Sequence, residues 1–180
     1  MYFFEGDFHG FHANIIKYCQ RPFANLEEMH ETLIRNHNSV VGKDDTTVHV
    51  GDFCFSKDKR DFDSLVRRLN GKHTFIKGSH DYSLPANHPT RMEFVIEGVT
   101  IIADHYPLLV WPKSHYGSEL IFAHIHRGTL PFAAGKCYNV GVDVNNFTPV
   151  SFVQLQDIMS KLPDNHNLLK DQSRDRQRRF

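Results

Sequence analysis

The sequence predicts an α/β fold with mixed sheet content, and three observations carry that prediction. Short β-branched or aromatic runs alternate with stretches of helical period. The loops that follow the runs collect aspartates and histidines. No repeat, low-complexity block or change of composition splits the 180 residues, so residues 1–162 read as one domain, followed by a polar, locally basic tail at 163–180.

In order along the chain, MYFFEGD predicts a short buried strand running into a loop, with Asp7 at the strand's end. HANIIKYCQ then places Ile15, Ile16 and Cys19 at helical spacing. In NLEEMHETLIRNHNSV, Asn25 is an N-cap, Glu27 and Glu28 fall in the first turn, and Leu26, Met29, Leu33 and Ile34 form one apolar stripe. TTVHVGD is a β-branched strand stopped by Gly51 that delivers Asp52 at its edge. DKRDFDSLVRRLN turns Phe62, Leu65, Val66 and Leu69 inward as a helix, and HTFIKG follows as a strand ending near Ser79, His80 and Asp81. This is the rhythm of β-α-β units.

RMEFVIEGVTIIADH reads as a hairpin turning at Glu97-Gly98, with His105 where its second strand ends. A loop rich in Pro, Gly and aromatics follows. ELIFAHIH is a strand ending in histidines, KCYNVGVDV is a further strand, and SFVQLQDIMSKL is a surface helix.

Composition excludes several classes. Lys plus Arg equals Asp plus Glu, 21 against 21, so no global field draws the chain to nucleic acid or membrane. The three cysteines, Cys19, Cys54 and Cys137, are widely spaced, which argues against a disulfide framework and a thiolate zinc cluster and fits a reducing cytoplasm. The N-terminus lacks the regions of a signal peptide, and no apolar run approaches a membrane span. Histidine is the outlier at 13 residues, and imidazole is a common transition-metal ligand.

Placement separates these histidines. Five strand ends carry, in order, Asp7-Phe8-His9, Gly51-Asp52, Gly78-Ser79-His80-Asp81, His105 and His124-Ile125-His126. In an extended segment, D-x-H or H-x-H spacing points alternate residues the same way, so both reach one centre. Ligand sites of open α/β sheets lie at such carboxyl ends.

These motifs resemble those of the calcineurin-like metallophosphoesterases, whose order is D-x-H, G-D, G-N-H-[DE], H and G-H-x-H. The likeness runs from Asp7 to about Asp143, and DFHGFHANII, GDFCF, HYPLLVW and NVGVD resemble the small bacterial and phage members. The resemblance implies an αββα sandwich of two mixed sheets flanked by helices, and a hydrolase holding two divalent ions: manganese first, with Fe, Ni, Zn, Co or Mg as alternatives. It implies that Asp7, His9 and His126 bind one ion, that His105 and His124 bind the other with the residue at Ser79, and that Asp52 bridges them. A bridging hydroxide would attack phosphorus in line, His80 would protonate the leaving oxygen, and Asp81 would support His80.

The expected substrate is a nucleotide-type or cyclic phosphodiester, with phosphomonoesterase or nuclease activity as alternatives. Nucleic acid is a candidate partner; no membrane and no protein partner is implied. Ser79 departs from the family asparagine and predicts a weaker second metal site, which keeps open a catalytically weakened binding scaffold. Ala123, where glycine is usual, is a smaller departure.

His12 and Asn14 are candidates for substrate contact or support of the ligands, Asn14 equally for a helix start. Tyr106, Trp111, His115 and Tyr116 either stack a nucleobase or anchor their loop. Cys54 is expected to pack. His30, His37, His49, His73, His88 and His166 lack motif context and are expected at ordinary surface or strand positions, and the Arg-rich end reads as a solvated tail or a phosphate contact.

Overall fold

The computed structural model describes residues 1–127, 130 and 135–169. Two four-stranded sheets face each other. The first has order β3-β2-β1-β8, with β1 (Tyr2–Glu5), β2 (Thr46–Val50) and β3 (Lys72–Ile76) parallel and the two-residue β8 (Val150–Ser151) antiparallel to β1. The second has order β4-β5-β6-β7: β4 (Arg91–Ile96) and β5 (Val99–Asp104) form the predicted hairpin, and β5, β6 (Glu119–Phe122) and β7 (Cys137–Asn139) run parallel. Glu97 and Gly98 both take positive φ, as a two-residue turn matched to strand twist requires.

The central strands are buried on both faces, and the alternation of their side chains sorts the core. Phe4, Val48, Val50 and Ile76 of the first sheet meet Ile96, Ile101, Ala103 and Ile121 of the second, with Phe152, Leu155 and Met159 of α4 (Phe152–Ser160) in the same cluster. On the first sheet's other side pack α1 (Ala13–Tyr18), α2 (Leu26–Val40) and α3 (Lys59–Val66), through Ile15, Met29, Leu33, Phe62 and Leu65. α2 starts where expected, because the Asn25 side chain accepts from Glu28 N. α4 is half core and begins with a Ser151/Gln154 capping box.

Three expectations are corrected. KCYNVGVDV is a strand only over Cys137–Asn139; Val142–Val144 is a single 3-10 turn. Trp111 does not face a ligand: it is 3% exposed, donates from Nε1 to Ser118 O, and covers the second sheet's outer face with Ile102, Leu120 and Phe122. The start of the segment read as tail is anchored, since buried Asn165 donates from Nδ2 to Ser114 O and Ser118 O, and Leu169 N bonds His115 O. The Arg-rich end lies outside the described residues.

Candidate metal centre

Every motif residue of the proposed ligand set lies beyond the carboxyl end of a parallel strand, and the two sheets aim those ends at one cleft. The loops after β1 and β2 are tied together by backbone hydrogen bonds from Asp7 N to Gly51 O, His9 N to Asp52 O and Gly10 N to Phe53 O. The ligand atoms of Asp7, His9 and His126 lie within 4.8 Å of one another, and so do those of Asp52, His105 and His124. Asp52 Oδ2 stands between the groups, 3.7 Å from His9 Nε2 and 3.4 Å from His105 Nε2.

The local backbone differs from the strand alternation expected for D-x-H and H-x-H. Asp7 (φ 56°), His9 (φ 55°), Asp52 (φ 53°) and His124 (φ 68°) are all left-handed, a conformation that costs a non-glycine residue about 1 kcal/mol or more. Turns, not pleats, therefore aim these side chains. At His124 the turn is closed by Ile125 N donating to Ala123 O, which sends His124 and His126 into different groups. Two glycines make the room: a Cβ on Gly51 would overlap the His105 ring, and one on Gly78 would overlap the Asp52 carboxylate.

Hydrogen bonds leave one nitrogen of each of three rings for the centre. His105 Nδ1 donates to Val50 O at 3.0 Å, and His126 Nδ1 meets Asp143 Oδ2 at 2.7 Å. His9 Nδ1 faces His12 Nδ1 at 3.1 Å, and the His12 ring stacks on Phe55 at 3.9 Å. His12 thus supports a ligand while also lining the cleft. Asp7 Oδ2 accepts from His124 N, whereas Asp7 Oδ1, His9 Nε2 and His105 Nε2 are buried without a hydrogen-bond partner. Buried polar atoms left so are expensive, and carboxylate and imidazole lone pairs converging from two groups fit a pair of divalent transition ions.

The charges fit too. Burial pushes the Asp7 carboxyl up to about 6, where nearby His126 and His105 only partly oppose it. At Asp52 burial acts the same way, but the facing His105, then His9 and the His80 amide, outweigh it and hold the carboxyl well below its usual range. Burial disfavours a charged His105, yet Asp52 and Asp7 lift that ring to about 9. The carboxylates draw positive charge onto these rings, the charge that a metal ion would supply in place of the protons.

The remaining candidates divide. His80 is half-buried at the cleft wall, its backbone N donating to Asp52 Oδ1 and its Nδ1 3.3 Å from Tyr82 Oη. Asp81 does not hold the His80 ring as expected: its Oδ1 accepts from Phe53 N and Cys54 N, and its Oδ2 from Asp52 N and Gly78 N. It pins the Asp52 loop to the Ser79 loop, which is where a buried carboxylate finds enough donors. Ser79 is exposed, with Oγ 3.4 Å from Asp52 Oδ2. Asn14 is exposed and lines the cleft; Tyr106 is half-exposed against the His124 ring at 4.6 Å. Cys54 packs among apolar residues.

Sequence reasoning missed three cleft aromatics, Tyr18, Phe55 and Tyr82, and missed Arg21, which reaches the site from the turn after α1. Phe55 sits in GDFCF and could have been noticed; Arg21 carries no local signal.

No protein-family model matches the chain. An uncharacterized protein of Methanocaldococcus jannaschii, MJ1445, is 39% identical over 165 residues, spanning 86% of this chain and 89% of that one. The crystal structure of the protein of unknown function AQ665 from Aquifex aeolicus superposes with a TM-score of 0.70 at 22% identity, covering 88% of this chain and 98% of its own. A zinc complex of Vps29 from Entamoeba histolytica matches more loosely, at a TM-score of 0.47 and 20% identity over 78% of this chain and 73% of its own. The chain belongs to one family with the Methanocaldococcus protein, and its fold is shared with the Aquifex protein.

Proposed function

We propose that the chain is a metal-dependent phosphoesterase that hydrolyses phosphodiesters of nucleotide type in preference to monoesters. The observation that carries this reading is the Asp52 carboxylate, which belongs to the second three-residue ligand group and reaches the first: its Oδ2 lies 3.4 Å from His105 Nε2 and 3.7 Å from His9 Nε2. Two divalent ions, manganese first, would supply Lewis acidity, a water of lowered pKa and charge neutralisation for the phosphoryl oxygens.

The chain's own residues supply the rest. Asp7, His9 and His126 would hold one ion and His105 and His124 the other, with Asp52 offering its carboxylate to both. His80, on the cleft wall, donates the proton to the leaving oxygen. The cleft holds about 400 Å³ and is lined by His12, Asn14, Tyr18, Phe55 and Tyr82 besides the ligands, with no Lys or Arg among the described residues of its lining. A diester carries one negative charge where a monoester carries up to two, so a lining without cations favours the diester. Aromatic faces suit a planar base.

The test is a manganese-supplemented comparison of a bis-aryl phosphate, an aryl monophosphate, cyclic nucleotides and single-stranded oligonucleotides. Faster hydrolysis of the bis-aryl phosphate and cyclic nucleotides is expected; a monophosphate preference would overturn the diester reading. His80→Ala should slow substrates with poor leaving groups most, and equal loss on activated aryl esters would remove the proton-donor role. Exposed Ser79, in the asparagine position, supports one second reading, a metal-binding scaffold of weak activity. Protein purified without metal and inert with added manganese would favour it.

A further inference from the structure

Behind the first ligand group lies a buried Arg21, whose side chain is 0% exposed. Its Nη2 donates to Asp7 O at 2.6 Å and its Nη1 to Phe8 O at 3.1 Å, so it holds the backbone of the D-x-H segment. The same guanidinium forks onto one carboxylate, Nε to Asp143 Oδ1 at 2.8 Å and Nη2 to Asp143 Oδ2 at 2.7 Å. Asp143 Oδ2 in turn meets His126 Nδ1 at 2.7 Å. One planar cation is thus bonded to the segment carrying Asp7 and His9 and, through Asp143, to His126.

A carboxylate on the far nitrogen fixes the ring pose and tautomer of a metal-ligating histidine, leaving Nε2 free to coordinate. The guanidinium fork does the same for the carboxylate, because its donors have fixed geometry. In the second group Asp52 is held by the Asp81 and His80 contacts, but its histidines have no carboxylate behind them. His105 leans on a backbone carbonyl, His124 is exposed, and Ser79 stands where a longer amide is usual.

We infer that Asp143, clamped by Arg21, is a positioning residue for His126 and makes the Asp7, His9, His126 group the first of the two to take up a divalent ion. The inference rests on the metal-dependent reading proposed above and adds an order of loading to it.

The experiment titrates metal-free protein with Co²⁺ alone, followed by visible absorption, with bound metal counted by elemental analysis. Wild type should show a tight and a weak phase. His124→Ala should remove the weak phase and spare the tight one. Asp143→Asn should weaken the tight phase by about 10- to 100-fold and leave the weak phase in place. Since Asp143→Asn strands a buried Arg21, the pair Arg21→Met with Asp143→Asn is measured beside it, and thermal unfolding of each metal-free variant checks folding. In the folded variants an unchanged tight phase, or equal weakening of both phases, overturns the inference. Wild type that binds no Co²⁺ overturns the metal reading itself, before any variant is compared.

Discussion

Two histidine clusters flank the first sheet's strands, and they are built in opposite ways. At the cleft, His9, His105 and His126 each commit Nδ1 to the protein and turn Nε2 toward two carboxylates. In the core under α2, Glu5 lies between His37 Nδ1 at 3.2 Å and His49 Nδ1 at 3.0 Å, His49 Nε2 meets His73 Nδ1 at 3.0 Å, and His37 Nε2 meets Asn70 O at 3.1 Å. His37 thus has an acceptor at both nitrogens, which only the doubly protonated ring satisfies with two donors. The core cluster turns its ring nitrogens on Glu5, on one another and on a backbone carbonyl, with His73 Nε2 left over; the cleft cluster leaves His9 Nε2 and His105 Nε2 facing its carboxylates. Among the described residues, only the cleft brings three such ligand atoms within 4.8 Å of one another. Imidazole count says little about metal binding, and the destination of the second ring nitrogen says much more.

The contrast can be broken by exchange of function. Asp52→Ala removes the carboxylate shared by both cleft groups, and hydrolysis should fall by about 10²–10³-fold or more, with bound manganese lost in elemental analysis. Activity retained within tenfold would remove the bridging role. Glu5→Gln should do the reverse, costing about 3–5 kcal/mol in guanidinium unfolding by stranding a buried imidazolium, while metal content per folded molecule stays constant.

The core cluster also sets a pH profile, to be read as unfolding free energy of metal-free protein. Burial depresses His49, and depresses His73 from 6.5 to about 4, so below 6.5 the unfolded chain binds protons that the folded one refuses. Stability therefore falls as pH drops from 6.5 toward 4, by about 1–3 kcal/mol, and His73→Gln should flatten that limb. Burial opposes charge on His37 as well, but Glu5 outweighs it and raises that ring, so its contribution is complete below 6.5 and is lost as pH climbs through the raised value. Glu5 itself is held low by His37 and His49 against the effect of burial; its contribution stands above 4.5 and disappears only as pH falls through the depressed value. A profile with no acid limb above pH 4 would contradict this reading. The smallest change is expected from Ser79→Asn, which should tighten the weaker cobalt phase by up to about tenfold; an unchanged titration would show that serine is no handicap.

What the sequence made legible was local. Asn25 announced α2, Glu97-Gly98 announced the hairpin, and the order from Asp7 to His126 marked the residues that meet at the cleft. What stayed hidden was non-local. Arg21 and Asp143 are 122 residues apart and pair only because the sheets bring the turn after α1 beside the turn after β7. His37, His49 and His73, expected at ordinary positions, form a core network because α2 lays His37 over β2 and β3, a packing that no spacing encodes. Asp81 sat in the right motif but serves four backbone amides, a demand visible only once the loops after β2 and β3 are adjacent. Trp111 could be read either as a base-stacking or as a loop-anchoring aromatic until the second sheet's outer face proved to need a cover.

The left-handed backbone at Asp7, His9, Asp52 and His124 bears on how this chain can change. Glycine would relax each of these positions, so stability and chemistry pull on the same four residues in opposite directions. Selection for folding alone would drain the cleft of its ligands before it touched the Glu5 network, whose removal costs stability. The resting preference of the backbone is therefore toward an inert sandwich, and aspartate and histidine at those turns stand against it.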